Sequence, residues 1–325
     1  MRTLAQLLVL ALNALFLYAL FAPTEATTSA VSFTSSRDCR ACHEEVYAEW
    51  ESSQHAFSFQ NPAVRTLSNE FANKNCIDCH APKPVFESGI GERVLPRTTR
   101  RIEGVDCISC HAIPAEQGGG VAGTITDRGA ACQPVQRVEL QRPVLCAGCH
   151  NQHETMTQWE GSSWEERRIS CIDCHMPFRD GDPNLGRDHR CLGANDLEML
   201  QSAVELSVRE GESGVEVSLA NVGAGHHFPT DERSRAADIF WRPLVAGEPG
   251  PWQHVYRFRS PYRDETHLPD TLLHVDSTWT GTIEGAEPPL EVALFFKRSP
   301  YWADPENPDP ENEADYLVHR VTLEP

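Results

Sequence analysis

Five times the sequence sets two cysteines three positions apart with a histidine directly after the second. The sets are Cys39, Cys42 and His43; Cys76, Cys79 and His80; Cys107, Cys110 and His111; Cys146, Cys149 and His150; and Cys171, Cys174 and His175. We number these motifs 1 to 5. Structural zinc also uses paired C-x-x-C, but has no need of a histidine after every second cysteine. A redox dithiol normally occurs once, within a βαβ pattern. Disulfides leave the histidines without a role. C-x-x-C-H is the attachment pattern of c-type haem: both thiols bond to vinyl-derived carbons of the porphyrin, and the histidine gives Nε2 to the iron. The pattern predicts five covalently bound haem c groups and uses ten of the twelve cysteines.

Each iron has a second axial position, so further histidines matter. His55 follows motif 1 by twelve residues, in "EEVYAEWESSQHAF". Tyr47, Trp50, Gln54 and Phe57 fall at three- and four-residue steps, which predicts one helix through this stretch. His55 lies too far along such a helix to reach its own haem and is placed to serve a neighbour. Met176 follows His175 directly and cannot bind the same iron, whereas Met156 and Met199 stay open as ligands.

The elements that must position these groups fall into three segments. Residues 1–30, beginning "MRTLAQLLVLALNALFLYALF", read as a signal peptide, or as a membrane anchor if uncleaved. The mature chain is then extracytoplasmic, in a periplasm or its equivalent. It touches a membrane only if that segment is retained. Residues 31–195 hold all five motifs, whose first cysteines are 37, 31, 39 and 25 residues apart. That is too little chain per motif for separate protein cores, so the haems themselves are expected to form the core, threaded by short helices and loops. Residues 196–325 change character. "SAVELSVRE", "GVEVSLANV", "DIFWRPLV", "HVYRFRS", "LEVALFFKRS" and "YLVHRVTLEP" alternate or run apolar between turn residues, which predicts an antiparallel β-sandwich. "VREGESGVEV" reads as a hairpin, and "ADPENPDPENEAD" as a solvated acidic loop without an EF-hand pattern. The fold class is therefore multidomain: a haem-packed, mostly α and loop N-terminal domain and a C-terminal β-sandwich. The net charge of −19 argues against a nucleic-acid partner. A weak internal echo is also visible. Trp50-x-x-Ser53-x-His55 aligns with Trp159-x-x-Ser162-x-Trp164, where the tryptophan reads as packing on a porphyrin face.

"GVDCISCH", "CIDCHMP", the W-x-x-S-x-H stretch, "HRCLGANDLEML" and "NVGAGHHFPTD" together resemble multihaem cytochromes c of the cytochrome c-554 type, over most of residues 37–230. The chain departs in having five motifs where the ammonia-oxidation carrier of that family has four haems. The resemblance implies distal ligands at His55, His189 and His226, with His227 the alternative to His226. His226 would bring the β-sandwich onto the haem array. His153 is a further candidate; it lies too close to His150 to serve the same haem. Cys132 and Cys191 are left over, and a bridge between them and two free thiols both stay open.

Two functional classes follow. The first is an electron relay between envelope redox proteins, a quinol-linked or terminal oxidoreductase among them. The second is an enzyme acting on a small nitrogen or oxygen species at one five-coordinate haem, with Arg97, Arg100 or Arg101 over the iron. Pentahaem nitrite reductases, related in broad layout, carry a C-x-x-C-K haem, and no such motif occurs here. A third reading is self-association into a homo-oligomer or filament.

Overall fold

The computed structural model describes residues 33–127, 129–230, 235–261, 267–297 and 315–325. The signal or anchor read over residues 1–30 and most of the acidic loop from Ala303 lie outside the described residues. No helix among the described residues is long and apolar enough to cross a membrane.

Up to residue 195 the chain is a series of short helices. Four of the five motifs lie on them: Lys74–His80, Cys107–His111, Val144–His150 and Cys171–His175. One helical turn puts both cysteines and the histidine, at i, i+3 and i+4, on one face. Caps start these turns. Asp106 and Ser170 each form a capping box, and the Asn73 side chain accepts from Asn75 N–H. Among the described residues of this part the one sheet is a parallel pair, β1 (Val121–Gly123) with β2 (Pro134–Gln136). The apolar core is small, built on Val85, Phe86, Val94, Ile113 and Ala122 with Cys79 and Cys149 packed against it. So few buried apolar groups fit a chain that leaves its interior to another material.

The single helix expected through His55 is two. Glu44–Glu51 ends, Ser53 turns to an extended conformation (ψ 159°), and Gln54–Phe57 begins. The Ser53 side chain accepts from Ala56 N–H at 3.2 Å and caps the second turn, so the apolar periodicity continues while the axis does not.

The C-terminal part is antiparallel. β3 (Val204–Glu210) and β4 (Gly214–Asn221) form the expected hairpin, and β4 also pairs with β8 (Thr278–Glu284). A second sheet centres on β5 (Ala236–Val245), flanked by β7 (Gln253–Phe258) and β9 (Leu290–Lys297). β10 (Asp315–Leu323) lies outside β9, and the two-residue β6 (Glu248–Pro249) pairs with the end of β5. Val204, Leu206, Val215, Val217 and Leu219 of the first sheet share one core with Ile239, Val292, Leu294 and Phe296 of the second. Alternation on β4 puts every second residue into that core.

Candidate haem-binding site

The histidines predicted from sequence meet in pairs. His55 faces the motif 4 histidine, His150, with ring centres 6.2 Å apart. His189 faces His111 of motif 3 at 6.4 Å, and His226 faces His175 of motif 5 at 6.2 Å. Metal–imidazole bonds are about 2 Å long, so two imidazoles on opposite faces of one iron have ring centres about 6 Å apart. The donor set therefore fits haem in three places.

Orientation supports the same fit. The Nδ1 atoms of His111, His175, His189 and His226 lie 2.8, 2.5, 2.8 and 2.8 Å from the carbonyl oxygens of Ala122, Leu192, Arg187 and His227. His80 Nδ1 lies 3.1 Å from Ser58 O. A carbonyl can only accept, so each Nδ1 carries the proton and each Nε2 is left as a lone-pair donor. Burial disfavours the charged form of five rings, His55, His111, His150, His189 and His226. Desolvation, then the charges of His175 and His80, pulls His55 down to about 4. Desolvation likewise takes His150 to about 3 and His226 to about 4, and lowers His111 and His189.

Three segments bring His55, His189 and His226 in. His55 stands on the turn capped by Ser53. His189 sits where Glu49 accepts its backbone N–H at 2.9 Å while also taking a two-pronged bond from Arg179, at 2.6 Å on each prong. His226 comes from the segment after β4, where Asn221 Nδ2 donates to His226 O at 2.8 Å. Its neighbour His227 is turned away: it stacks on His274 at 4.3 Å, and its Nδ1 accepts from Val275 N–H. His43 is exposed beside Cys42. The His80 ring has Phe71 at 6.3 Å, and Phe71 stacks on Phe59 under Arg65. His153 ends the 3-10 turn Asn151–His153, directly after the helix that carries His150.

Cysteines pair across motifs. The thiols of Cys39 and Cys107, of Cys79 and Cys149, and of Cys146 and Cys171 lie close enough to perturb one another's pKa. Motifs 1 and 3, 2 and 4, and 4 and 5 are therefore neighbours, which spacing along the chain did not reveal. Cys132 and Cys191 are not bridged to each other in this structure.

Arg97, offered above as a group over an iron, has another task. It is 4 % exposed and donates to the carbonyls of Pro82, Arg100 and Gly104 and to Ser109 Oγ. Asp106 lies 3.6 Å from its guanidinium and also ion-pairs with Arg100. Arg101 Nε donates to Arg97 O. Arg97 and Arg100 fasten the chain between motifs 2 and 3, a role visible only once the carbonyls converge.

Residues 38–112 match the family model described as cytochrome c554 and c-prime. No curated protein matches the chain. Among solved structures, a penta-heme cytochrome c552 from Thermochromatium tepidum superposes with a TM-score of 0.65 at 18% identity, covering 89% of this chain and 98% of that one. This likeness is one of fold. With its repeated C-x-x-C-H motifs and the matched segment, the chain is similar to multihaem cytochromes c of the c-554 type, whose haem c is covalently bound.

Proposed function

We propose that the chain holds five haem c groups at motifs 1 to 5 and relays electrons between extracytoplasmic redox proteins. Cys39/Cys42, Cys76/Cys79, Cys107/Cys110, Cys146/Cys149 and Cys171/Cys174 are the attachment pairs, and His43, His80, His111, His150 and His175 the proximal ligands. The domains are a pentahaem domain over 31–195 and a β-sandwich over 196–325 that contributes a ligand. The observation that carries the reading is the threefold recurrence of facing imidazoles at 6.2–6.4 Å. We read them as axial pairs: His150 with His55, His111 with His189, His175 with His226. When bound, haem c supplies a one-electron iron couple. The chain's part is to saturate those irons with neutral imidazoles, which closes them to substrates and favours transfer over bond chemistry. The adjoining cysteines of motifs 1 and 3, 2 and 4, and 4 and 5 support close packing of the groups they hold.

Electron paramagnetic resonance of the purified ferric protein tests this, with intact mass to count the haems. At least three low-spin signals that ignore cyanide and nitrite are expected. High-spin signals from the motif 3, 4 or 5 haems, converting on addition of either ligand, would overturn the relay in favour of an enzyme.

A further inference from the structure

The echo between residues 50–55 and 159–164 is a repeated piece of structure. Trp50 Nε1–H donates to Val105 O at 2.8 Å, and Trp159 Nε1–H donates to Ile169 O at 2.9 Å. The return bonds match: Val105 N–H to His55 O at 2.8 Å, and Ile169 N–H to Trp164 O at 2.9 Å. Val105 and Ile169 each stand two residues before the first cysteine of a motif. The residues before them, Gly104 and Arg168, share a left-handed φ of 59° and 61°. Ser53 and Ser162 cap the turns that follow the tryptophans. The copies differ where it matters. The first carries His55, an imidazole facing His150; the second carries Trp164 at the same place.

Trp164 receives the loop that bears His226. A Cβ on Gly225 would stand 3.3 Å from Trp164 Cγ and 3.4 Å from Trp159 Cδ1, so the glycine lies directly against both rings and a side chain there would press on the Trp164 ring. The Arg167 guanidinium lies 4.4 Å from the centre of the Trp164 ring. Neighbouring bonds hold the same seam. Ser163 N–H and Oγ–H donate to the Asp276 carboxylate at 2.8 and 2.7 Å, and His227 N–H donates to Gln158 Oε1 at 3.2 Å.

We propose that Trp164 and Gly225 are positioning residues that set the His226 imidazole opposite His175. The second copy supplies a seat for a ligand from the β-region where the first supplies the ligand itself. This rests on the reading that His226 binds the iron held by His175. Ordinary packing between two parts of a chain is the alternative, and it predicts a loss of stability that is not confined to one haem.

The test uses the full holoprotein with His226→Ala, Trp164→Ala, Trp164→Phe and Gly225→Val, read by ferric electron paramagnetic resonance with and without added imidazole. His226→Ala should turn one low-spin haem high-spin, about one-fifth of the five expected from the motifs. Trp164→Ala and Gly225→Val should turn part of that same signal high-spin. Imidazole should restore it, and Trp164→Phe should retain most of it. The other signals should stay unchanged in all four. If His226→Ala gives the conversion while Trp164→Ala and Gly225→Val leave that haem low-spin, the seat is overturned and the ligand stands. Loss spread over several haems in Trp164→Ala also overturns it. No change in His226→Ala overturns the underlying ligand assignment, and the seat with it.

Discussion

Asp106 shows how much one side chain can fix between haem motifs. It is 2 % exposed, caps the motif 3 turn through Ser109, and is flanked by Arg97 and Arg100. Asp106→Ala removes the cap and strands a buried guanidinium, so a loss of about 3–5 kcal/mol is expected. Thermal melting of the holoprotein should fall well below that of wild type, and Asp106→Asn, which keeps a cap but not the charge, should lie between them. The rings that face one another were all singled out in the sequence: the motif histidines by spacing, His55 by its place after motif 1 and by the family resemblance, and His189 and His226 by the resemblance. Which ring opposes which was not legible, because His55 faces the motif 4 histidine and His189 the motif 3 histidine across long stretches of chain. The Nδ1 acceptors were illegible for a different reason. They are main-chain carbonyls of Ser58, Ala122, Arg187, Leu192 and His227, residue types with nothing in common.

Elements in the two halves obey different rules. In the haem half, short capped turns replace long helices, and Ser53 shows why periodicity alone failed there. The apolar positions run on through a break that a capping serine makes. Ser53→Ala should cost about 1 kcal/mol of stability and loosen His55. The low-spin signal assigned to the His150 pair should broaden or decrease, while Ser162→Ala should leave that signal intact. In the β half, alternation made the β3–β4 hairpin readable, but the strand order was not. β5 is buried along Ala236–Phe240, since Ile239 faces the shared core and Phe240 a second cluster with Ala293 and Phe295. A two-sided strand has no alternation to read. Its one acid, Asp238, is also buried. Burial raises its carboxyl pKa, but bonds from Arg257 and His254 outweigh that and hold it below the usual range. A depressed folded pKa gives stability that is present above the unfolded value, about 3.9, and lost as pH falls through the folded one. The melting difference between wild type and Asp238→Asn should thus be large at neutral pH and shrink below about pH 4. A difference that stays constant to pH 3 would contradict the charge pairing.

Across the whole molecule, the thiol contacts turn five motifs into a connected path with a branch. Cys39 with Cys107 joins motifs 1 and 3, Cys146 with Cys171 joins 4 and 5, and Cys110 is close enough to Cys146 and Cys149 to raise their pKa by its charge, linking 3 to 4. Motif 2 meets the line at motif 4, through Cys79 and Cys149. Cys42 and Cys174 are the exposed motif cysteines, so the proposed relay reaches the surface at motifs 1 and 5. Order along the chain is then not order along the path. If electrons follow these neighbours, motif 2 is a side branch and motif 4 the junction. Two double variants separate these roles, each checked by intact mass for four remaining haems and by circular dichroism for fold. With Cys76→Ala and Cys79→Ala, anaerobic reduction by dithionite in a rapid mixer should keep the wild-type phases, less one haem of amplitude. With Cys146→Ala and Cys149→Ala, the motif 1 and 3 pair, motif 2 and motif 5 lose their common neighbour, and the course should split into separate phases. If removing motif 2 splits the course while removing motif 4 does not, the junction lies elsewhere, and the thiol contacts do not mark the route electrons take.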